Sequence, residues 1–297
     1  MKASDCNASL RKNCWPAAIP ILLLTLLIAC GDREPAPAVE GFAPVQGEGK
    51  LYYEVRGEGY PLVLIHGGST HHGMWNDQFD LFARHYRTVR YDVRGWGASS
   101  TSETPHAAWD DLKSLLEHLE IERTHIVGLS LGGRIGVDFA LEYPEMVDHL
   151  VLAGPGLSGW QFEMAPWLEE AIKALEAGNP RGATDAWLSS PYLEAAMEDP
   201  ELAERLRQLT YDNEHFWTET QREVWPEPTA MERLGDLAAP TLLVLGSRDI
   251  EDIHRIVEMI DEQAPDARKV VLEGAGHMVN MEQPEEFNRA VLDFLPR

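Results

Sequence analysis

The stretch Gly128-Leu129-Ser130-Leu131-Gly132-Gly133 decides how this chain is read. It follows a short apolar strand, His125-Ile126-Val127, and opens a helix predicted from about Gly132 to Leu141, which stops before Tyr143-Pro144. A serine with glycine two residues before and two after, at a strand-to-helix junction, is the G-x-S-x-G arrangement of a nucleophile elbow. The glycines answer a steric need: in so tight a turn a side chain at Gly128 or Gly132 would strike the neighbouring strand or helix. The serine hydroxyl is thereby lifted off the sheet at a helix N-terminus, where unpaired N–H groups and partial positive charge collect.

A nucleophilic serine needs a base, an acid and two oxyanion donors. The base is expected late in the chain. Lys269-Val270-Val271-Leu272 reads as a strand, Gly274-Ala275-Gly276-His277 follows it, and a helix runs from about Pro284 to Phe294. His277 thus sits just past a strand's C-terminal end, the edge of an open α/β sheet where ligands bind. That position, not residue type, separates it from the other ten of the chain's 11 histidines. The acid is expected after another strand end. Pro240-Thr241-Leu242-Leu243-Val244-Leu245 leads into Gly246-Ser247-Arg248-Asp249, which makes Asp249 the candidate. Glu251 and Asp252 suit the first turn of the next helix. The earlier strand His149-Leu150-Val151-Leu152 is followed by Ala153-Gly154-Pro155-Gly156-Leu157, with no carboxylate. The order Ser130, Asp249, His277 is distinct from the chymotrypsin and subtilisin orders. Leu131, next to the nucleophile, offers one oxyanion N–H; the second is expected from His66-Gly67-Gly68-Ser69, after the strand Leu62-Val63-Leu64-Ile65, with Gly68 first and Ser69 second. His66 is read as a brace for that loop. Ser69, Met74 and Trp75 are expected on the pocket wall.

On these residues the chain resembles an α/β hydrolase-fold enzyme of the serine-nucleophile, cap-domain kind. His66-Gly67-Gly68, Tyr91-Asp92-Val93-Arg94-Gly95-Trp96-Gly97-Ala98-Ser99, the elbow, Gly246-Ser247-Arg248-Asp249 and Gly274-Ala275-Gly276-His277 fall in family order. It is similar to 3-oxoadipate enol-lactonase-like proteins and carboxylesterases. The resemblance implies a structural part for Asp92 and Arg94, near the site but outside the triad. Relatives that dehalogenate or open epoxides carry Asp at the elbow; Ser130 suits acyl transfer.

Strands near Leu51–Glu54, Leu62–Ile65, Thr88–Tyr91, His125–Val127 and His149–Leu152 alternate with helices near Trp75–Ala83, Trp109–Leu119 and Gly132–Leu141. That alternation predicts an α/β fold with a mostly parallel sheet covered by helices. Between about Gly156 and Leu234 no strand is expected; Glu169–Ala177 and Leu202–Leu209 have helical spacing. The resemblance makes this stretch, 156–234, an all-helical cap inserted into a core of 41–155 and 235–297. Its Trp160, Trp167, Trp187, Trp217 and Trp225, with Phe162, Phe216, Tyr192 and Tyr211, divide between cap core and pocket and suit an apolar or ring-bearing substrate.

The first 29 residues read as a signal peptide: Lys2, Arg11 and Lys12, then an apolar run from Ala17 to Ala29, too short to span a bilayer. Leu27-Ile28-Ala29-Cys30 resembles a bacterial lipobox, with 30–40 as a polar tether. A lipid anchor at Cys30, on the periplasmic side of the cell envelope and at the outer rather than the inner membrane, is the expectation. Cys6, Cys14 and Cys30 are the chain's 3 cysteines, so the expected mature domain forms no disulfide. No cofactor is required by this chemistry, and no metal-ligand spacing appears; His71-His72 read as loop residues near the site entrance. The net charge of −24 opposes binding to nucleic acid. A small-molecule substrate is the expected partner. Hydrolysis of a carboxylic ester or lactone leads. Hydrolysis of a carbon–carbon bond in ring-cleavage products, a proline iminopeptidase-like activity using Glu214, Glu219 and Glu223, and a catalytically silent binding protein are the alternatives.

Overall fold

The structure, a computed structural model, describes residues 35–296 apart from 48, 102–103, 163 and 219–221. The stretch 1–29, read above as a signal peptide, and Cys30 lie outside the described residues.

Alternating apolar side chains build a two-faced sheet. Its strands are β1 (Val39–Pro44), β2 (Lys50–Arg56), β3 (Pro61–Ile65), β4 (Arg87–Tyr91), β5 (Thr124–Leu129), β6 (Val147–Ala153), β7 (Thr241–Gly246) and β8 (Ala267–Leu272), in the order β1-β2-β4-β3-β5-β6-β7-β8. The pairs β1–β2 and β2–β4 are antiparallel and all others parallel. β1 starts at Val39, inside the stretch read as tether; it is an edge strand with one fully covered residue, Ala43. The helices are α1 (Asn76–Phe82), α2 (Ala108–His118), α3 (Leu131–Glu142), α4 (Pro166–Glu176), α5 (Pro180–Leu188), α6 (Pro200–Tyr211), α7 (Glu251–Gln263), α8 (Val279–Glu282) and α9 (Pro284–Phe294).

Successive residues of a strand point to opposite faces, and the core divides accordingly. Val63, Ile65, Ile126, Leu150, Leu152, Leu243 and Leu245 pack with Leu112, Leu115, Ile135, Phe139, Ile256 and Ile260 of α2, α3 and α7. Leu62, Leu64, Val127, Leu129, Val151, Leu242 and Val244 pack with Phe79, Phe82, Phe287 and Val291 of α1 and α9. Fully burying each such side chain contributes about 1.5–3 kcal/mol before entropy. Both faces are therefore covered, as a parallel sheet requires.

Between β6 and β7 the chain leaves the sheet through α4, α5, α6 and short 3₁₀ turns. Among its described residues the one strand-like pairing is a bridge of Glu223 to His106. A separate small cluster of Ala171, Ala183 and Ala186 joins α4 to α5. Polar ties fasten the insertion to the sheet layer: Arg205 to Asp77 at 2.7 Å, Arg248 to Glu198 at 2.8 Å, and the Gly97 N–H to Asn213 Oδ1 at 2.6 Å. Where the chain returns, Ser158 Oγ donates to Asp138 at 2.6 Å and accepts from the Ala230 N–H at 2.9 Å. Among the described residues no helix is long and apolar enough to cross a membrane.

Candidate active site

The parallel strands β5, β7 and β8 all end at one edge, and the three residues singled out in the sequence sit just beyond those ends. Ser130 follows β5 with φ 53° and ψ −110°, backbone that a serine adopts only under constraint. The constraint is visible. A Cβ at Gly128 would lie 2.2 Å from Gly132 O, and one at Gly132 would lie 2.1 Å from Ile65 O. The Ser130 N–H donates to Ala153 O at 3.0 Å, and Ser130 O accepts from Gly156 at 2.9 Å and Arg134 at 3.0 Å.

Asp249 follows β7 and His277 follows β8. His277 Nδ1 lies 2.9 Å from Asp249 Oδ2 and 3.1 Å from Oδ1, with both side chains buried. Its Nε2 is buried without a hydrogen-bond partner. Two glycines permit this approach. A Cβ at Gly246 would stand 2.0 Å from Gly276 O, and one at Gly154 would stand 3.0 Å from Asp249 Oδ2 and 3.1 Å from His277 Nδ1. The loop after β6, which carries no carboxylate, thus serves as the floor under the pair. Glu282 escaped the sequence reading. Its carboxylate accepts from the N–H groups of Gly276 at 2.6 Å and Met278 at 2.9 Å, holding His277 from both sides. Burial pushes the Glu282 pKa up. The only advance signal was a carboxylate five residues past the histidine.

Gly68 and Leu131 both face the cavity with Ser130 and His277. Leu131 opens α3, so its N–H has no partner within the helix. The Gly67 N–H, by contrast, is held by Met74 Sδ at 3.1 Å. His66 braces the loop as the sequence suggested. It accepts the Val93 N–H at Nε2 at 2.9 Å, so its proton is on Nδ1, which donates to Gly67 O at 2.8 Å. Burial pushes its pKa down to about 4. Asp92 accepts from the N–H of His72 at 2.8 Å and of Ala98 at 2.9 Å, while Arg94 grips Asp111 in two bonds of 2.7 and 2.6 Å.

The pocket wall differs from expectation. Met74 and Trp75 are fully buried beneath the Gly67–Gly68 loop: Met74 supports Gly67 and Thr70, and Trp75 packs on Phe287. A 3₁₀ turn over His72–Trp75 rotates both into the core. Ser69, at φ 59°, turns the loop and is covered, so it too lies off the wall. The wall comes from the insertion instead. Phe162, Trp167, Trp187, Tyr192 and Trp225 line a cavity of about 660 Å³ over Ser130. The Tyr192 ring meets the His277 ring edge-on, centroids 4.9 Å apart. Trp160, Trp217, Phe216 and Tyr211 are elsewhere; Phe216 stacks on Trp96 at 3.7 Å.

Two arginines reach the wall, Arg134 and Arg255, and each is met by carboxylate. Arg134 forms two bonds with Glu223, 2.7 and 2.8 Å, and one of 3.3 Å with Asp138; Arg255 bonds Glu251 at 3.1 Å. Glu214 pairs with Arg181 at 3.4 Å, away from the cavity, and Glu219 lies outside the described residues. Spacing in the sequence pointed to no metal site, yet the fold gathers His71, His72 and Asp92 in one place and His125, Asp148 and His149 in another.

Comparison with known proteins gives the chain a family and relatives. The sequence pattern of the family described as "Alpha/beta hydrolase family" matches residues 62–290. The chain is 32% identical over 263 residues to a 2-hydroxy-6-oxononadienedioate/2-hydroxy-6-oxononatrienedioate hydrolase of Paraburkholderia phymatum, covering 83% of this chain and 91% of that protein. It is 29% identical over 249 residues to a 3-oxoadipate enol-lactonase of Acinetobacter baylyi, covering 81% and 91%. Among solved structures, a hydrolase from Pseudomonas aeruginosa superposes with a TM-score of 0.73 at 30% identity, covering 87% and 98%.

Proposed function

Because the chain belongs to the alpha/beta hydrolase family, we propose that it hydrolyses a small, apolar or ring-bearing carboxylic ester or lactone through an acyl-enzyme on Ser130. The observation that carries this is one cavity lined by both Ser130 and His277, with His277 Nδ1 on Asp249 and its Nε2 without a hydrogen-bond partner among the described residues. His277 Nε2 takes the Ser130 proton as Oγ attacks the carbonyl carbon. The Gly68 and Leu131 N–H groups receive the oxyanion. The tetrahedral intermediate collapses, the alcohol leaves with the proton from His277, and Asp249 holds the ring and balances its transient charge. Water, deprotonated by His277, then releases the acid and frees Ser130.

A second reading has specific support: the relative from Paraburkholderia phymatum is by its name a hydrolase of dienedioates. The same residues can cleave a carbon–carbon bond beside a ketone. Such dianions need a free cation on the wall. Among the described lining residues both arginines are already paired, and Glu251 and Asp252 add negative charge. This favours a neutral acyl group and ranks the ester or lactone first. The peptidase reading has no carboxylate of Glu214 or Glu223 free in the cavity to receive an amino terminus.

The test is a panel of aryl esters, lactones, a vinylogous diketone and aminoacyl-arylamides. Neutral esters or lactones are expected to turn over fastest, with Ser130→Ala lowering kcat on the order of 10⁶-fold. Full turnover by Ser130→Ala sinks the assignment; a diketone hydrolysed best moves it to carbon–carbon chemistry. We also propose envelope anchoring through Cys30, which rests on Leu27-Ile28-Ala29-Cys30 and the apolar run before it.

A further inference from the structure

Five residues upstream of Ser130, at the opposite end of β5, two histidines and an aspartate meet. Asp148 and His149 are neighbours on β6 and in a regular strand would face opposite sides. The β5–β6 register slips here: Thr124 pairs with Val147, but Ile126 pairs with Leu150. Two residues of β6, Asp148 and His149, therefore stand across from one of β5, His125. A bulge of this kind re-aims side chains, and here it turns both toward His125. His149 Nδ1 lies 3.0 Å from Asp148 Oδ2, and His125 Nδ1 lies 3.4 Å from the same oxygen. All three ligand atoms fall within 4.8 Å of one another.

His125 is 1% exposed, and its Nδ1 is buried without a hydrogen-bond partner. An interaction of its ring with the Pro296 backbone leaves Nδ1 turned toward Asp148 Oδ2. A buried ring nitrogen without a hydrogen-bond partner, set opposite a carboxylate oxygen, suits a cation between them. Nitrogen and oxygen ligands held 2.0–2.1 Å from a tetrahedral ion lie about 3.4 Å apart; the His125–Asp148 separation of 3.4 Å matches this, and the His149–Asp148 separation of 3.0 Å is a little shorter. The surroundings also match what metal-binding histidines require: the Pro296 backbone fixes the ring, and Arg123 holds the other oxygen of Asp148 at 3.0 Å, leaving Oδ2 to the ion. Asp148 and His149 are each about a quarter exposed, which gives an ion an entry path.

We propose that His125 Nδ1, Asp148 Oδ2 and His149 Nδ1 bind one divalent transition-metal ion of the zinc type, with water in the fourth position. The site is structural. At about 3.3 Å per residue, β5 separates it from Ser130 by roughly 16 Å, and it ties β5, β6 and the Pro296 end of the chain together.

The test uses metal-free full chain with its 3 cysteines alkylated, titrated with zinc chloride by calorimetry and with cobalt chloride by visible absorption. One saturable equivalent is expected, with a tetrahedral cobalt band and a higher unfolding temperature on zinc addition. His149→Gln is expected to weaken binding by about tenfold or more, and His72→Gln to leave it unchanged. His149 lies at the surface of the cluster, and Asp148→Asn provides a second variant if the first folds poorly. No saturable binding overturns the proposal. So does binding that survives both cluster variants, or binding lost in His72→Gln and retained in His149→Gln.

Discussion

Ser130 is held at positive φ by contacts that leave no alternative, and its neighbours are glycine because nothing larger fits. Such positions are legible in a sequence: a residue type is forced by space, and the spacing of forced residues becomes a pattern. The places of Asp249 and His277 were legible for another reason, each a polar residue just beyond an apolar strand. Ser69, Met74 and Trp75 were misplaced because the sequence does not reveal the 3₁₀ turn that rotates Met74 and Trp75 inward. If Asp249 acts by holding the His277 ring in one tautomer, Asp249→Asn is expected to lower kcat about 10⁴-fold with little change in KM. Steady-state kinetics on an activated aryl ester check this; a loss in KM alone would assign Asp249 to substrate binding.

At the scale of elements, runs such as Leu62–Ile65 and Thr241–Gly246 announced the buried parallel strands, and glycine and proline marked their ends. β1 was missed because an edge strand with mixed exposure carries little periodicity. The β5–β6 slip was illegible, since register depends on two segments at once. Helix α3 carries a further consequence. Asp138 is buried on it, and burial pushes its pKa up to about 6, against the opposing pull of Arg134 and Ser158. The folded protein then takes up this proton as pH falls through about 6, and the unfolded chain only near 3.8. The group's contribution to stability is full below 3.8 and is lost as pH rises through about 6. Asp138→Asn is expected to remove this slope, up to about 1.4 kcal/mol per pH unit. Urea unfolding at several pH values from 4 to 6.5 measures it; parallel curves for the two proteins would refute it.

For the molecule as a whole, residues 1–30 and residues 35–296 answer different questions. The former bear on where the chain resides, the latter on what it does. If Cys30 is acylated, cells fed labelled palmitate are expected to yield labelled protein, and Cys30→Ser is expected to abolish the label and release the protein from membranes. Label retained in Cys30→Ser would remove the anchor.

The ring-bearing walls over Ser130 come from one contiguous stretch between β6 and β7, while Ser130, Asp249 and His277 come from the ends of strands. The two are joined by polar ties, among them Arg134–Glu223, Arg205–Asp77 and Arg248–Glu198, and by Leu193, Leu202 and Leu206, which pack into the cluster that holds Met74, Trp75 and Phe79. A foreign stretch would have to reproduce the partners of Arg134, Arg248 and Asp77 and this apolar surface as well. Exchanging that one segment, contact surface retained, is expected to change which substrate is preferred without moving Ser130, Asp249 or His277, and a substrate panel on the hybrid chain checks this.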